Sequence, residues 1–225
     1  MAKKTTRKDL LKSEDEFLSF SSRALSFFSS HTRQLQIAGI AIAAVAIIFL
    51  AATTFYRHVN KKGQEAYNTA YSTMAEQLGP EMEPQKLSEV QSLFVDVVEN
   101  HGMSRVADLA IPQLAFLKFI DGKYDEALSL YQDFKEKQKD ENVFVTLSTL
   151  GLSVCHEANG DFDKAIDFLN PIASDSNNRF RETAFFTLIR LYRLTGDDNR
   201  AADLAAEFIR DFKGSSFEPI VKTYL

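Results

Sequence analysis

The sequence predicts an all-α protein: an N-terminal transmembrane helix followed by a solenoid of helical hairpins. Three observations predict it. Residues 34–56, QLQIAGIAIAAVAIIFLAATTFY, carry no charge over 23 positions. Beyond them nearly every segment repeats its apolar residues with the 3.6-residue period of a helix, and none alternates over a useful length. One short corner also returns three times, as GKYDEA at 122–127, GDFDKA at 160–165 and GDDNRA at 196–201, its glycines 38 and then 36 residues apart.

The first element is a basic head, residues 1–33. Residues 1–63 carry a net charge of +6 and the remainder −11. An acidic body of this kind argues against nucleic acid as its partner, whereas the head suits anionic lipid. Within the head, Leu10, Leu11, Phe17, Leu18, Ala24, Leu25 and Phe28 recur at helical spacing. Two readings stand: an amphipathic helix on the cytoplasmic membrane face, or a short, partly ordered tail, since its many serines are poor helix formers.

The second element is the span, 34–56. At ~1.5 Å per residue it reaches roughly 34 Å, against a hydrocarbon core of about 30 Å. Phe55 and Tyr56 place aromatics at its far end, as in an interfacial belt. The run is too long for a signal-peptide core, and RHVNKK follows it instead of a small-residue cleavage pattern. Seven Lys/Arg precede the span and three follow closely, which favours a cytoplasmic head and a translocated body.

Residues 57–84 form a membrane-proximal helix ending in a Pro/Gly break. Ala66, Tyr67, Ala70, Tyr71, Met74 and Leu78 make one stripe that continues the span outward, with Gly63 as its weak point, and GPEMEP at 79–84 interrupts it. Residues 85–225 then hold the repeats. Leu87, Val90, Leu93, Phe94, Val97 and Val98 make the next stripe, ending near Asn100-His101-Gly102. After it, each corner glycine, Gly122, Gly160 and Gly196, joins two antiparallel helices. The alanine five residues on, Ala127, Ala165 and Ala201, is small enough for the second helix to approach the first.

These corners resemble the tetratricopeptide repeat, with its G-x-Y/F-x-x-A signature at Gly122/Tyr124/Ala127 and Gly160/Phe162/Ala165. Gly196/Asp198/Ala201 departs from it at the aromatic position, and Ile189 stands where Ala115 and Ser153 supply the small residue. The order of head, span, A-Y-x-x-A-Y helix and repeats resembles the YfgM-like single-span tetratricopeptide proteins ancillary to the bacterial Sec translocon. That resemblance implies a bacterial inner-membrane protein with a periplasmic body. It also implies contacts with the translocon, chaperones or client polypeptides. A structural scaffold subunit of a fixed envelope complex is the alternative.

The family geometry further implies that the first helix of each hairpin lines a concave face. In the first unit the lining residues are Pro112, Phe116, Phe119 and Ile120; in the second, Leu150, Val154, Glu157 and Ala158; in the third, Phe186, Arg190, Arg193 and Leu194. Such a face takes a peptide that is apolar at one end and carboxylate-bearing at the other. The alternative is that Phe116 and Phe119 pack internally and no groove is open. Pro112 marks either a kink or the true start of its helix.

No catalytic chemistry is read from the chain, and no cofactor is expected. The four histidines show no metal-ligand spacing, and no phosphate-binding or nucleophile motif occurs. Cys155-His156 is an adjacent pair, but neighbours on a helix point about 100° apart, so a partly buried structural histidine is the expectation. One cysteine also excludes an intramolecular disulfide.

Overall fold

A computed structural model describes residues 22, 26–27, 29–79, 83–138, 140 and 142–225. The amphipathic pattern expected over 9–33 lies for the most part outside these residues. All regular structure among the described residues is helical. Contacts divide the chain into two units, Met1–Arg57 and His58–Leu225.

Helix α1, Thr32–Gln77, is continuous and crosses that division. In the first unit its apolar residues lie exposed, Ile40, Ile42, Val45, Ile47, Ile48 and Phe49 among them. The stretch 34–56 of this helix carries no charged residue, and its most apolar window is buried against nothing, which makes it a candidate membrane span. The Gly63 expected to weaken α1 does not interrupt it. Gly63 is buried because the turn after the next helix presses on it: a Cβ there would stand 2.3 Å from the Cβ of Ser104. The glycine serves close approach, which local sequence does not reveal.

The second unit continues through α2 (Pro84–Asn100), α3 (Ala107–Ile120), α4 (Tyr124–Lys137), α5 (Val143–Ala158), α6 (Phe162–Ser174), α7 (Arg181–Thr195), α8 (Asp198–Asp211) and the short α9 (Glu218–Val221). From α2 to α9 each helix packs on its chain neighbour, and α3 also meets α5. This nearest-neighbour pattern defines a helical-hairpin solenoid. The outer half of α1 belongs to it. Ala70 shares a buried cluster with Val90, Phe94 and Val97 of α2 and Leu114 and Leu117 of α3, and Tyr67 meets Phe94 edge-on at 6.2 Å between ring centroids.

The three corners are one device. Gly122, Gly160 and Gly196 have φ of 74°, 80° and 82°, the left-handed region that only glycine enters without strain. The residue after each donates its N–H to the carbonyl at the same earlier position. The pairs are Lys123 to Lys118 (2.9 Å), Asp161 to His156 (2.8 Å) and Asp197 to Tyr192 (2.9 Å). These bonds satisfy carbonyls that the helix end leaves free. Ala127, Ala165 and Ala201 are fully buried behind the corners. In the second hairpin the Ser153 hydroxyl donates to the Ala165 carbonyl at 3.0 Å, tying α5 to α6.

Pro112 lies inside α3, which begins five residues earlier, so it does not mark the helix start. At the far end, α9 covers what would otherwise be an open helix face. Val221 is fully buried in a cluster with Leu169 of α6, Leu188 and Ile189 of α7 and Phe208 of α8.

Candidate functional site

The concave residues named from sequence fall into two environments. Pro112 and Phe116 of α3 and Leu150 and Val154 of α5 line one open, mostly apolar groove of about 350 Å³. The groove exists because α3 and α5 are the first helices of adjacent hairpins and stack side by side, presenting the same face. Phe116 remains 40% exposed and Val154 39%. A phenylalanine that is not needed to seal the core and still stands half in water is the kind of side chain a partner covers.

Four further residues line the same groove and were not named from sequence: Gln113, Phe144, Leu147 and Gly151, with the edge of Tyr131 below them. Leu147 and Phe144 lie about one and two turns N-terminal to Leu150, on the same stripe of α5. The offsets counted back from the corner glycine stopped short of that first turn; stepping back three residues from Leu150, and three again, reaches Leu147 and Phe144.

Gly151 has a steric role. A Cβ at this position would lie 2.4 Å from Cζ of Tyr131 and 2.6 Å from a second ring carbon. The far end of the tyrosine ring therefore rests against bare helix backbone and lines the groove.

The remaining concave residues are engaged elsewhere. Phe119 packs on Tyr124 across the first corner, with 5.3 Å between ring centroids, and is only partly exposed. Ile120 is exposed but does not line the groove. Phe186 stacks on Phe217 of the C-terminal segment at 4.5 Å. Arg190 forms a bidentate pair with Glu157, Nη2 donating to Oε2 at 2.6 Å, and this hydrogen bonding holds the guanidinium pKa above its usual value. Arg193 donates to Asp198 at 2.6 Å and lies over the Tyr224 ring. The arginine end of the expected face thus already carries carboxylates from the chain itself. Glu157 lies 33 residues before Arg190 and reaches it only because successive hairpins stack.

Cys155 and His156 do not form a pair. Cys155 is fully buried beside Ala115, Ala127, Tyr131 and Leu152, and burial pushes its thiol pKa up to about 11. His156 turns the other way, stacked on Phe168 at 5.5 Å with its Nδ1 3.4 Å from Asp161. A thiol reagent should therefore modify Cys155 in the native protein at a small fraction of the rate seen in denaturant at pH 8, where thiolate supply controls the reaction. Equal rates in a stopped-flow assay would show that the α3–α5 contact opens freely. Among the described residues no group of three or more His, Cys, Asp or Glu side chains is placed to hold a metal ion.

A family model described as a tetratricopeptide repeat-like domain matches residues 27–185, which takes in the candidate span and the first two glycine-cornered hairpins. A search of curated proteins finds no match.

Proposed function

Because the chain belongs to the tetratricopeptide repeat-like family, we propose that it is a membrane-anchored protein-binding adaptor of the bacterial envelope. In this reading α1 crosses the inner membrane with the basic head inside. The solenoid stands in the periplasm, and the α3–α5 groove holds apolar segments of the translocon, of chaperones or of client polypeptides. Repeat folds of this kind typically serve binding. The observation that carries the proposal is the groove itself: a concave apolar surface built from Phe116, Phe144, Leu147, Leu150 and Val154, about 350 Å³ in volume and open to solvent. Its lining favours side chains over backbone ladders, so the fitting partner is a short helix or extended segment presenting two or three large apolar residues.

A photoreactive amino acid at Phe144 or Leu147 in the full chain tests this in living cells. Irradiation should trap translocon, chaperone or client proteins, and the same probe at Asp133, an exposed position on α4, should not. One stoichiometric product and nothing else would instead indicate a fixed scaffold subunit. Phe116→Ala combined with Leu147→Ala should abolish trapping. Both side chains are already about two-fifths exposed, so each truncation should cost less than about 1.5 kcal/mol of stability. Undiminished trapping by this variant would remove the groove from the proposal. Alkaline phosphatase fused after Leu225 should be active; activity confined to a cytoplasmic reporter would reverse the topology.

A further inference from the structure

We propose that the segment Gly214–Leu225 is a built-in cover over the third hairpin's share of the first-helix face, and that a partner lying in the α3–α5 groove extends along α7 by displacing it. The inference rests on the adaptor reading. It adds a regulation of the same face and a residue pattern for the partner.

Position within the repeat shows what the segment covers. Ten and six residues before their corner glycines, the first hairpin has Pro112 and Phe116 and the second has Leu150 and Val154, and all four line the open groove. The same positions of the third hairpin are Phe186 and Arg190. Phe217 lies flat on Phe186, with 4.5 Å between ring centroids and 15° between the planes. The Tyr224 ring lies 6.0 Å from the Arg193 guanidinium. Between them in sequence, Val221 is fully buried in the cluster of Leu188, Ile189 and Phe208. Leu150, a groove residue, packs against that same cluster and so joins the groove to the seat of the segment. Phe217, Val221 and Tyr224 stand at i, i+4 and i+7, the spacing of one helix face. A partner that takes their place has to present the same pattern: an aromatic residue, a branched aliphatic one four positions on, and an aromatic one three further on.

The segment is lightly held. Val221 is its one fully buried side chain; Phe217 and Tyr224 are half-buried, and Ile220 and Leu225 are exposed. Its polar bonds are largely internal, so they survive a swing away from α7. The Gly214 N–H donates to Glu218 at 3.0 Å, the Phe217 N–H donates to Ser215 Oγ at 3.0 Å, and Lys222 pairs with Glu218 at 2.8 Å. A hydrogen bond from the Ser215 hydroxyl to Glu182 ties it to α7. Gly214, at φ 81°, turns the chain between α8 and the segment in the left-handed conformation. An element with few buried apolar contacts opens locally at a small part of the global stability.

Hydrogen exchange of the full chain in detergent reads the opening without any substitution. The Val221 amide, bonded to the Phe217 carbonyl at 2.9 Å, should exchange at least about tenfold faster than the amide of Leu188 in α7. Equal exchange would make the segment a fixed part of the core and overturn the cover. A synthetic peptide of residues 214–225, added in excess, should raise the Val221 rate roughly threefold by holding the vacated seat. The same peptide carrying Phe217→Ala, Val221→Ala and Tyr224→Ala should leave it unchanged. Equal effects of the two peptides, or none from either, overturn the partner pattern. In living cells, a photoreactive amino acid at Leu147 should trap roughly twofold more partner protein when the chain carries Phe217→Ala and Tyr224→Ala. Unchanged trapping overturns the displacement and leaves the adaptor reading intact. No trapping in either chain overturns the adaptor reading and the displacement with it.

Discussion

Phe134→Ala should cost about 3–5 kcal/mol and break the cooperativity of unfolding. Phe134 is 1% exposed on α4 and packs with Ile111 of α3 and Val145 of α5, with Val98 and Leu130 around them. It lies where the first glycine-cornered hairpin meets the second. Truncation removes the transfer free energy of the ring and leaves a cavity that three helices, each held on its other side, cannot easily close. In a solenoid, stability is the sum of unit and interface terms. Weakening one interface by this amount should let α5–α9 unfold separately from α1–α3. For a domain of this size each kcal/mol shifts the melting temperature by roughly 2–4 °C. The far-ultraviolet circular dichroism of the detergent-solubilised chain should therefore melt roughly 10 °C lower and in two steps. A single transition within a degree of the parent would mean that the α3–α4–α5 seam contributes little.

Gly151→Leu should destabilise the protein by about 3 kcal/mol and also abolish cross-linking at the proposed groove. Placing leucine on α5 ordinarily favours a helix over glycine by nearly 1 kcal/mol. Here the contact with Tyr131 outweighs that gain, because the new Cβ would overlap three ring carbons at 2.4–2.8 Å. The ring is buried by α3 and α5, and its free exit leads into the groove that it lines. A displaced ring would fill the groove proposed above to hold a partner. A double-mutant cycle isolates the cause. Tyr131→Ala alone should cost about 3–5 kcal/mol. The pair Gly151→Leu with Tyr131→Ala should lose clearly less than the two single losses added, since leucine then fills the hole. Strict additivity would show that the steric overlap is not the origin of the loss.

How legible these features are from sequence differs with their range. The uncharged run 34–56 becomes part of one continuous helix, and the three corners close as repeated left-handed glycine turns with a buried alanine five residues on. Both follow from interactions within about six residues: helical periodicity, the absence of charge, and the conformational freedom of glycine where a helix must end. The groove was legible in half. Pro112, Phe116, Leu150 and Val154 carry a position within the repeat, and position decides which face a side chain takes.

Whether a residue on that face is open was decided only by the tertiary structure, because openness depends on neighbours remote in sequence. Phe119 finds Tyr124 across the corner, while Phe116, one turn away, stays 40% exposed in the groove. Arg190 is neutralised by Glu157 from the preceding hairpin, a pairing set by the stacking of α5 on α7's neighbour α6 rather than by any local spacing. Gly63 reads locally as a weak point in its helix, and the structure makes it and Gly151 contact points, against Ser104 and Tyr131. The sequence by itself determined the long apolar helix that is the candidate span and the glycine-cornered hairpins, since those rest on short-range backbone and periodicity rules. Only the packing of one hairpin on the next determined where the first-helix residues are filled in, where they are neutralised and where they stay open to solvent.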